Sequence, residues 1–270
     1  MWTLSEEQQR AFHRHGYVVL HSALPLEQLR TLRNDCEQLL DELEELDLLS
    51  DAGCVIEPML NGRMTTLPTE THRQCQYDAA AYSQQRWGER PEGAVLLCHH
   101  LPRLVAQLLP SASDVDGSAP RLCLFNEQYI VKPPRTQHQS IFAWHQDGEY
   151  MNETCQRVPT VACWIALDDV NEAATYNAWH DARAARYSPQ NAHDVQAVSE
   201  TVHSLALTAG SILIMSARVR HCSTGNGSGR TRRAYMPQYS AGVVAGPDAR
   251  PLALAVPCDC PVPTSYRGTS

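Results

Sequence analysis

The sequence lacks any long apolar run. Nowhere among its 270 residues do 18 apolar residues follow one another, and the first stretch, MWTLSEEQQRAFHRHGY, has no basic start followed by an apolar segment. We therefore expect neither a membrane-spanning helix nor an export signal, and we predict an intracellular, cytoplasmic protein.

Basic residues are also scarce relative to acidic ones. The chain has 22 Lys and Arg against 30 Asp and Glu, a formal net charge of −8. Nucleic acids and anionic membranes attract basic patches, so the composition gives no reason to expect either as a partner. We predict a small-molecule partner, and a chain that is a monomer or a homodimer.

The ten cysteines are scattered along the chain rather than grouped as in small disulfide-rich domains. Reduced thiols are therefore expected. Cys258 and Cys260 could bind a metal, but no second pair of Cys or His stands nearby to complete a zinc site. Apolar residues make up 43% of the sequence and no internal repeat is visible, so we predict one domain over residues 1–270.

Helical patterns dominate the first part of the chain. Ser5 or Thr3 can cap a helix EEQQRAFHRH that ends at Gly16, and leucines recur at helical spacing in LEQLRTLRNDCEQLLDELEEL. A third helical pattern, AVLLCHHLPRLVAQLL, contains Pro102, which is expected to kink it. AAAYSQQRW is a weaker helix and MTTL a weaker strand.

Strand patterns dominate the second part. They are YVVLHS before the helices and then LCLFNEQYIVK, VPTVACWIALDD, TVHSLAL, SILIMSARV and RRAYMPQYS. The polar, alanine-rich composition of residues 170–200 predicts a surface segment or lid. The proline-rich tail from residue 251 predicts irregular structure. Helices followed by many short strands predict a mainly β fold with flanking helices, arranged as a double-sheet barrel.

The segment WHQDGEY, residues 144–150, carries the clearest chemical pattern. In an extended strand His145 and Asp147 point to the same side. His221 follows the apolar strand SILIMSARV, which can return it beside them. Two histidines and one carboxylate that leave open metal positions are typical of non-heme Fe(II) oxygenases.

Several segments in order resemble the phytanoyl-CoA dioxygenase family of Fe(II)/2-oxoglutarate oxygenases. They are FHRHGYVVL, VKPP, WHQDGEY, WIALDD and GSILIMSARVRHCSTGNGSGRTRRAY. The resemblance implies a double-stranded β-helix (a jelly-roll or cupin-like barrel) with iron at its mouth and 2-oxoglutarate chelating the iron. It also implies O2 as the oxidant and stimulation by ascorbate.

The resemblance assigns roles residue by residue. His145, Asp147 and His221 match the metal ligands and form the catalytic centre. Arg232, eleven residues beyond His221, matches the arginine that pairs with the distal carboxylate of 2-oxoglutarate, a task suited to a planar guanidinium. The other positions that match co-substrate contacts are Ser223, Gln128, Gln146 and Trp164.

The substrate region departs from the family. Where the family has an Asn-Gly and then a Pro-Gly-Ser-His turn after WIALDD, this chain has VNEAATYNAWHDARA, so its substrate loop must run differently. We predict Trp144, Tyr150 and Trp179 as walls of the substrate pocket, although Trp144 also suits plain core packing. His99 and His100 suit core positions.

The resemblance implies hydroxylation of an unactivated C–H bond, or epimerisation, desaturation or cyclisation by the same oxidant. Halogen transfer is not expected, because halogenating relatives replace the metal-binding carboxylate that Asp147 supplies. An Ala- and Arg-rich composition hints at a high-GC microbe and thus at secondary metabolism, including antibiotic biosynthesis.

Two alternatives stay open at this stage. A cupin-like metalloenzyme that does not use 2-oxoglutarate would keep the metal residues but have no use for Arg232. A catalytically silent binding protein on the same barrel would usually lose a ligand. Arg230 and Arg233 flank Arg232 and are alternatives for its role, and Arg218 and Arg220 suit either the surface or an acidic substrate.

Overall fold

Helices precede strands along most of the chain, as the periodicity predicts. The computed structural model describes residues 2–45, 54–58, 79–88, 90–109, 121–151, 158–170, 204–246 and 251–261. Its helices are α1 (Glu6–His15), α2 (Leu26–Glu45), α3 (Ala79–Trp87), α4 (Pro91–Val95) and α5 (Leu101–Val105), with a π-helical turn at Leu96–His100. Its strands are β1 (Tyr17–Leu20), β2 (Val55–Ile56), β3 (Arg121–Lys132), β4 (Phe142–His145), β5 (Thr160–Ala166), β6 (Ile212–Ser216), β7 (His221–Ser223), β8 (Arg232–Ser240) and β9 (Val256–Pro261).

The first helix begins and ends where its capping residues predict. The Ser5 hydroxyl accepts from the Gln8 backbone N–H at 3.1 Å, and the Gln8 side chain accepts from the Ser5 backbone N–H at 2.8 Å. This reciprocal pair satisfies two amide donors that have no partner within the helix. Gly16 adopts φ 76°, the left-handed conformation that ends a helix and that glycine adopts without steric cost.

The helical stretch around Pro102 is continuous but changes its winding. Pro102 has no backbone N–H and its ring crowds the preceding turn, so regular α-helical hydrogen bonding cannot pass through it. The chain widens into the π-helical turn at Leu96–His100 directly before α5, where the Leu101 N–H donates to the Leu96 carbonyl. The predicted kink is thus taken up as a π-helical turn. The weaker prediction of a helix at AAAYSQQRW is confirmed as α3.

The described strands form two antiparallel sheets. The larger has the order β1-β6-β5-β8-β3-β2, with β9 also pairing with β3, and the smaller consists of β4 and β7. These strands do not close into a barrel within the described residues. The mainly β class with flanking helices is confirmed, and the double-stranded β-helix stays a prediction.

The central strands β5 and β6 alternate between two apolar layers. Val161, Cys163 and Ile165 of β5 belong to the large cluster that includes the helices. Trp164 and its even-numbered neighbours in β5 belong to a second cluster on the opposite face. Since successive side chains of a strand point to opposite faces, the helices cover one face and the other is available for a site.

Two strand predictions are corrected. The tail predicted to be irregular contains β9, in which Pro257 lies opposite Cys123 of β3. Proline removes a hydrogen-bond donor, and β9 tolerates this because β3 is its one partner among the described strands. The predicted strand TVHSLAL is described from residue 204 onward, where it forms only an isolated bridge between Leu207 and Val170. The predicted strand at MTTL lies outside the described residues, as does the predicted lid at 170–200 apart from Val170.

A buried ionic network joins the helices to β3. Arg86 of α3 donates to both carboxylate oxygens of Asp35 in α2, at 3.0 and 2.5 Å, and also contacts Glu127 of β3. The Tyr129 hydroxyl donates to Asp35 at 2.6 Å, and Tyr235 donates to Glu127. Buried charges require such partners. The network holds β3 against the helices through its odd-numbered side chains and leaves the even-numbered ones for the opposite face.

None of the described helices is long and apolar enough to cross a membrane.

Candidate metal centre and active site

The three predicted ligands converge where the two short strands meet. β4 and β7 pair in antiparallel register with His145 directly opposite His221. β4 ends at His145, but Gln146 keeps an extended backbone, φ −117° and ψ 138°, before a 3-10 helix starts at Asp147. The alternation therefore continues one residue past the strand and returns Asp147 to the side of His145.

One carboxylate oxygen faces both histidines. Asp147 Oδ1 lies 3.8 Å from His145 Nε2 and 3.6 Å from His221 Nε2. One ligand atom from each residue falls within 4.8 Å of the others, so the group can hold a metal ion. Neighbouring ligands of a metal with bonds of about 2.1 Å stand about 3 Å apart, so the set needs to contract only slightly around an ion.

Both histidines present the correct nitrogen for a metal. His145 Nδ1 lies 2.7 Å from the Ala143 carbonyl, and His221 Nδ1 lies 3.0 Å from the Val219 carbonyl. A carbonyl only accepts, so each Nδ1 must carry the proton, and each Nε2 keeps its lone pair for a metal. Burial lowers the pKa of His221, which favours the neutral, metal-binding form.

The second oxygen of Asp147 is held separately. Gln238 of β8 donates its Nε2 hydrogen to Asp147 Oδ2 at 3.2 Å. This contact fixes the rotation of the carboxylate so that Oδ1 stays directed at the histidines. Ligating carboxylates are commonly oriented by such hydrogen bonds, so Gln238 is a positioning residue of the site.

The triad opens into a cavity of about 540 Å³. Its lining is largely apolar, with a few amide, hydroxyl and carboxyl groups. The lining residues are Val55, Glu57, Phe125, Asn126, Gln128, Ile130, Phe142, His145, Asp147, Met151, Trp164, Met215, His221, Ser223, Met236, Gln238, Leu252 and Ala253. A cavity of this size and composition suits a small organic ligand.

Two cations stand at the Ser223 end of this cavity. Lys132 Nζ donates to Ser223 Oγ at 2.6 Å and to the Thr224 carbonyl at 2.8 Å. Arg232, which lies opposite Lys132 in the β3–β8 register, donates from Nη2 to the same Thr224 carbonyl at 2.9 Å. Both side chains are buried, and burial together with the charge of Arg232 lowers the pKa of Lys132 to about 7. A pair of buried cations beside a metal site favours an anion as ligand.

Comparison with protein families identifies the group to which this site belongs. The model of the phytanoyl-CoA dioxygenase family (PhyH) matches residues 12–234, most of the chain. The chain belongs to the phytanoyl-CoA dioxygenase family. Its relatives are non-heme oxygenases that depend on 2-oxoglutarate, and this chain carries the His-Asp-His triad of such an enzyme. It is therefore an oxygenase of this family, and the triad fits Fe(II).

Solved structures share this fold at low sequence identity. The non-heme alpha-ketoglutarate-dependent carbocyclase SnoK from nogalamycin biosynthesis matches with a TM-score of 0.57 and 20% identity, over 88% of this chain and 84% of SnoK. EvdO2 from Micromonospora carbonacea var. aurantiaca, complexed with 2-oxoglutarate, matches with a TM-score of 0.54 and 16% identity, over 97% and 96%. EctD from S. alaskensis matches with a TM-score of 0.59 and 15% identity, over 98% and 88%. No curated protein sequence matches the chain.

Several predicted positions of this phytanoyl-CoA dioxygenase family member lie together. Gln128, Trp164 and Ser223 all line the cavity with the triad. Arg232 is buried just behind Ser223 and Thr224 rather than in the lining itself. The two arginines that flank it have other environments. Arg230 is exposed, and Arg233 forms an ion pair with Asp168 at 2.9 Å and another with Glu37 at 2.7 Å. Arg232 is thus the arginine of this segment placed beside the cavity.

Other predicted positions are not brought to the cavity. Gln146 donates its side-chain N–H to the Arg218 carbonyl, and it is not among the residues that line the cavity. Trp144 lies beneath the Arg220 guanidinium, 5.9 Å from the ring centre, and is also outside the lining. The alternation that brings His145 and Asp147 together directs these two residues to the opposite side. The Tyr150 side chain and Trp179 lie outside the described residues.

Four polar residues of the site were not predicted as site residues: Lys132, Asn126, Gln238 and Glu57. Lys132 shares a strand face with Gln128 in LCLFNEQYIVK, so the alternation of the strand indicates that both side chains point to the same side. Gln238 lies in the predicted strand RRAYMPQYS, but nothing local shows that it faces Asp147. Glu57 follows the two-residue strand β2, whose position depends on pairing with the distant β3.

Proposed function

We propose that this enzyme binds Fe(II) through His145, Asp147 and His221 and oxidises an unactivated C–H bond of a small molecule. When bound, Fe(II) together with 2-oxoglutarate and dioxygen supplies an oxidant able to remove hydrogen from such a bond. Ascorbate is expected to stimulate turnover. The observation that carries the proposal is the convergence of two Nε2 atoms and Asp147 Oδ1 at the wall of a largely apolar cavity.

The co-substrate is assigned to the end of the cavity that holds Ser223. Ser223 is two residues beyond His221 on β7, so the two side chains share a face and stand roughly 6.6 Å apart along the strand. A five-carbon diacid that chelates a metal through one end spans this separation with the other. Arg232 and Lys132 then supply positive charge, and Ser223 a hydroxyl, for the distal carboxylate. Gln128 and Trp164 line the space beside it.

The protein residues have distinct tasks in this scheme. Ala143 and Val219 fix the proton on Nδ1 of the two histidines, and Gln238 holds Asp147 in place. The apolar lining excludes water from the reacting groups. Asp147 would take the ligand position that a halide needs, so the product should carry no halogen.

The product class is hydroxylated, epimerised, desaturated or cyclised, since one oxidant gives all four. Secondary metabolism, including antibiotic biosynthesis, is the proposed setting. The similarity to SnoK, a carbocyclase from nogalamycin biosynthesis, supports it. We also propose that the two sheets belong to a double-stranded β-helix and that residues 1–270 form one domain. The apolar cluster shared by the helices and the larger sheet supports this.

Succinate formation from 2-oxoglutarate tests the activity. Enzyme supplied with Fe(II), ascorbate and dioxygen should form succinate, and His145→Ala or His221→Ala should abolish both tight iron binding and turnover, because each removes a nitrogen ligand. His138→Ala, which alters an exposed histidine, is the matched control. Unchanged iron binding in either ligand variant would show that the residue is assigned wrongly.

Co-substrate dependence separates this function from that of a cupin-like metalloenzyme. Arg232→Ala should weaken 2-oxoglutarate binding by about 30-fold to 1,000-fold, corresponding to ~2–4 kcal/mol for a lost buried charged contact. Metal affinity should not change. Arg230→Ala is the control, since that side chain is exposed. An Arg232→Ala enzyme with unaltered affinity for 2-oxoglutarate would remove the assigned role.

A further inference from the structure

Among the described residues, the cavity lining contains one carboxyl group that is not part of the triad. Glu57 follows β2 directly, lines the cavity and is only 7% exposed. The Asn126 side-chain amide of β3 donates to Glu57 Oε1 at 3.3 Å. A bulge in β3 between Leu124 and Asn126 lets both Phe125 and Asn126 line the cavity. The bulge therefore places this amide beside Glu57.

A short polar path leads from Glu57 to the metal centre. Asn126 lies directly opposite Gln238 in the β3–β8 register, and opposite residues have Cβ atoms about 5 Å apart. Gln238 in turn donates to Asp147 Oδ2 at 3.2 Å. Glu57 therefore belongs to the compartment that adjoins the metal ligands. A molecule that contacts Glu57 can place another of its atoms beside the triad.

The charges of this compartment are acidic. Among the described lining residues the acidic side chains are Glu57 and Asp147, and neither lysine nor arginine is present. The cations Lys132 and Arg232 belong to the opposite end, because Lys132 is six residues along β3 from Asn126, the residue that contacts Glu57, a separation of roughly 20 Å. There they are matched to the co-substrate. The part of the cavity near Glu57 thus favours a positively charged group over a negative one.

The environment of Glu57 indicates how strongly a positively charged group would bind there. Burial, together with the nearby charge of Glu127, raises the pKa of Glu57 to about 7, although the hydrogen bond from Asn126 acts in the opposite direction. The buried anion is therefore costly, and a cation placed against it would form a charge-assisted hydrogen bond in an environment of low dielectric. Glu57 is consequently a stronger partner for a ligand cation than an exposed carboxylate would be.

We propose that Glu57 binds a protonated amino group of the substrate, which makes the substrate class an amine with an apolar skeleton. The apolar lining, including Phe125, Met151 and Leu252, would surround that skeleton and leave one of its C–H bonds beside the triad. The proposal rests on the proposed oxygenase function, which it extends by naming the substrate class.

A matched pair of probes tests this assignment. 2-Phenylethylamine and 2-phenylethanol share a skeleton and differ in the charge of one end, and at about pH 8 the amine is protonated while Glu57 is ionised. Binding of each is measured by calorimetry to enzyme loaded with Fe(II) and 2-oxoglutarate without dioxygen. The wild-type enzyme should prefer the amine by at least about tenfold, the usual effect of a hydrogen bond to a charged group.

Variants identify the residue responsible. Glu57→Gln keeps the shape and should remove the preference by weakening amine binding, with alcohol binding unchanged, whereas Glu57→Asp should retain part of it. Glu42→Gln removes the same charge from an exposed position of α2 and should behave as wild type. Equal binding of the two probes to wild type, no detectable amine binding, or a preference retained in Glu57→Gln would each overturn the proposal.

Measuring succinate distinguishes failure of the Glu57 assignment from failure of the proposed oxygenase function. Succinate formed from 2-oxoglutarate without added substrate is measured on the same preparations. Succinate formation without an amine preference would refute the role of Glu57 and leave the oxygenase function standing. An amine preference that disappears in Glu57→Gln, in enzyme that forms no succinate, would support the binding role and refute the proposed function.

Discussion

Lys132→Met tests the positive charge at the co-substrate end of the cavity. Lys132 is only 1% exposed and donates to Ser223 Oγ and to the Thr224 carbonyl. Burial, together with the charge of Arg232, lowers the pKa of Lys132 to about 7. Free enzyme above this pH therefore holds the amine mostly uncharged. A dianionic co-substrate would favour its protonation and return the pKa toward about 10.4, the value of an ordinary lysine.

The size of the effect follows from these two pKa values. At pH 7 about half of Lys132 is protonated before binding, so binding should take up about 0.5 proton, and at pH 8.5 nearly one. Below about pH 6 the group is charged in both states and contributes no pH dependence. Between pH 7 and 8.5 the affinity for 2-oxoglutarate should fall roughly 16-fold, or ~1.6 kcal/mol.

Calorimetry measures both quantities. Titrations of 2-oxoglutarate into anaerobic Fe(II) enzyme, repeated in buffers of different ionisation enthalpy, give the number of protons taken up at each pH. Lys132→Met should bind the co-substrate more weakly at pH 7 and should lose both the proton uptake and the decline above pH 7. Arg230→Gln removes a positive charge from an exposed position on the following loop and should behave as wild type.

Two results would refute the reasoning. If wild type and Lys132→Met took up equal numbers of protons at pH 8.5, the titrating group would lie elsewhere. If the variant bound 2-oxoglutarate as tightly as wild type at pH 7, Lys132 would not contact the bound anion. Metal-bound histidines and metal-bound water are common to both proteins, so the difference between them isolates the lysine.

Three further changes test other parts of the site. Gln238→Leu removes the donor that holds Asp147 Oδ2 and should weaken metal binding roughly 10- to 100-fold in a metal titration, and unaltered affinity would contradict its positioning role. Gly225→Ala should lower the free energy of unfolding by about 1–3 kcal/mol in denaturant titrations, because its Cβ would lie 2.2 Å from the Gln137 carbonyl oxygen. Gly227→Ala is its control, since the nearest atom there is 3.6 Å away, and equal stability of the two variants would contradict the clash. Excess chloride or bromide during turnover should give no halogenated product by mass spectrometry, because Asp147 occupies the ligand position a halide needs, and a halogenated product from the unmutated enzyme would refute this.

Local periodicity was sufficient for most of the elements and for the convergence of the three predicted metal ligands. The i, i+2 spacing of His145 and Asp147 correctly predicts a shared side, although Asp147 lies beyond the end of β4. His221 was predicted to return from a distant strand, and the structure places it directly opposite His145. The dense apolar run VPTVACWIALDD is typical of a strand buried on both faces, and all seven residues of β5 are buried.

The same periodicity also predicts that two of the proposed pocket residues, Trp144 and Gln146, point away from the metal centre. If His145 and Asp147 share a side of an extended chain, Trp144 and Gln146 must point away from it. Gln146 was assigned to the co-substrate pocket from its matching position in the family, and Trp144 to the substrate pocket because it adjoins His145. In the structure both contact the Arg218–Arg220 segment instead.

The remaining differences arise from long-range pairing, which local patterns do not contain. β9 forms because β3 offers it hydrogen-bonding groups, so the prolines that predict irregular structure are tolerated at that edge. Glu57 reaches the cavity because β2 pairs with β3, more than seventy residues away along the chain. A short segment of this kind carries too few residues for a periodic signal.

The two faces of β3 have different roles: one anchors the strand to the helices, and the other contributes side chains to the site. Its odd-numbered side chains Glu127 and Tyr129 are fixed by Arg86 and Asp35 through buried hydrogen bonds, so the strand cannot slide relative to the helices without leaving charges unpaired. Its even-numbered side chains run from Asn126, beside Glu57, to Lys132, beside Ser223. The strand therefore sets the distance between the acidic end and the basic end of the cavity. Because the triad lies between groups whose spacing is held in this way, a substrate amine and a co-substrate carboxylate would be positioned relative to the metal by one rigid element.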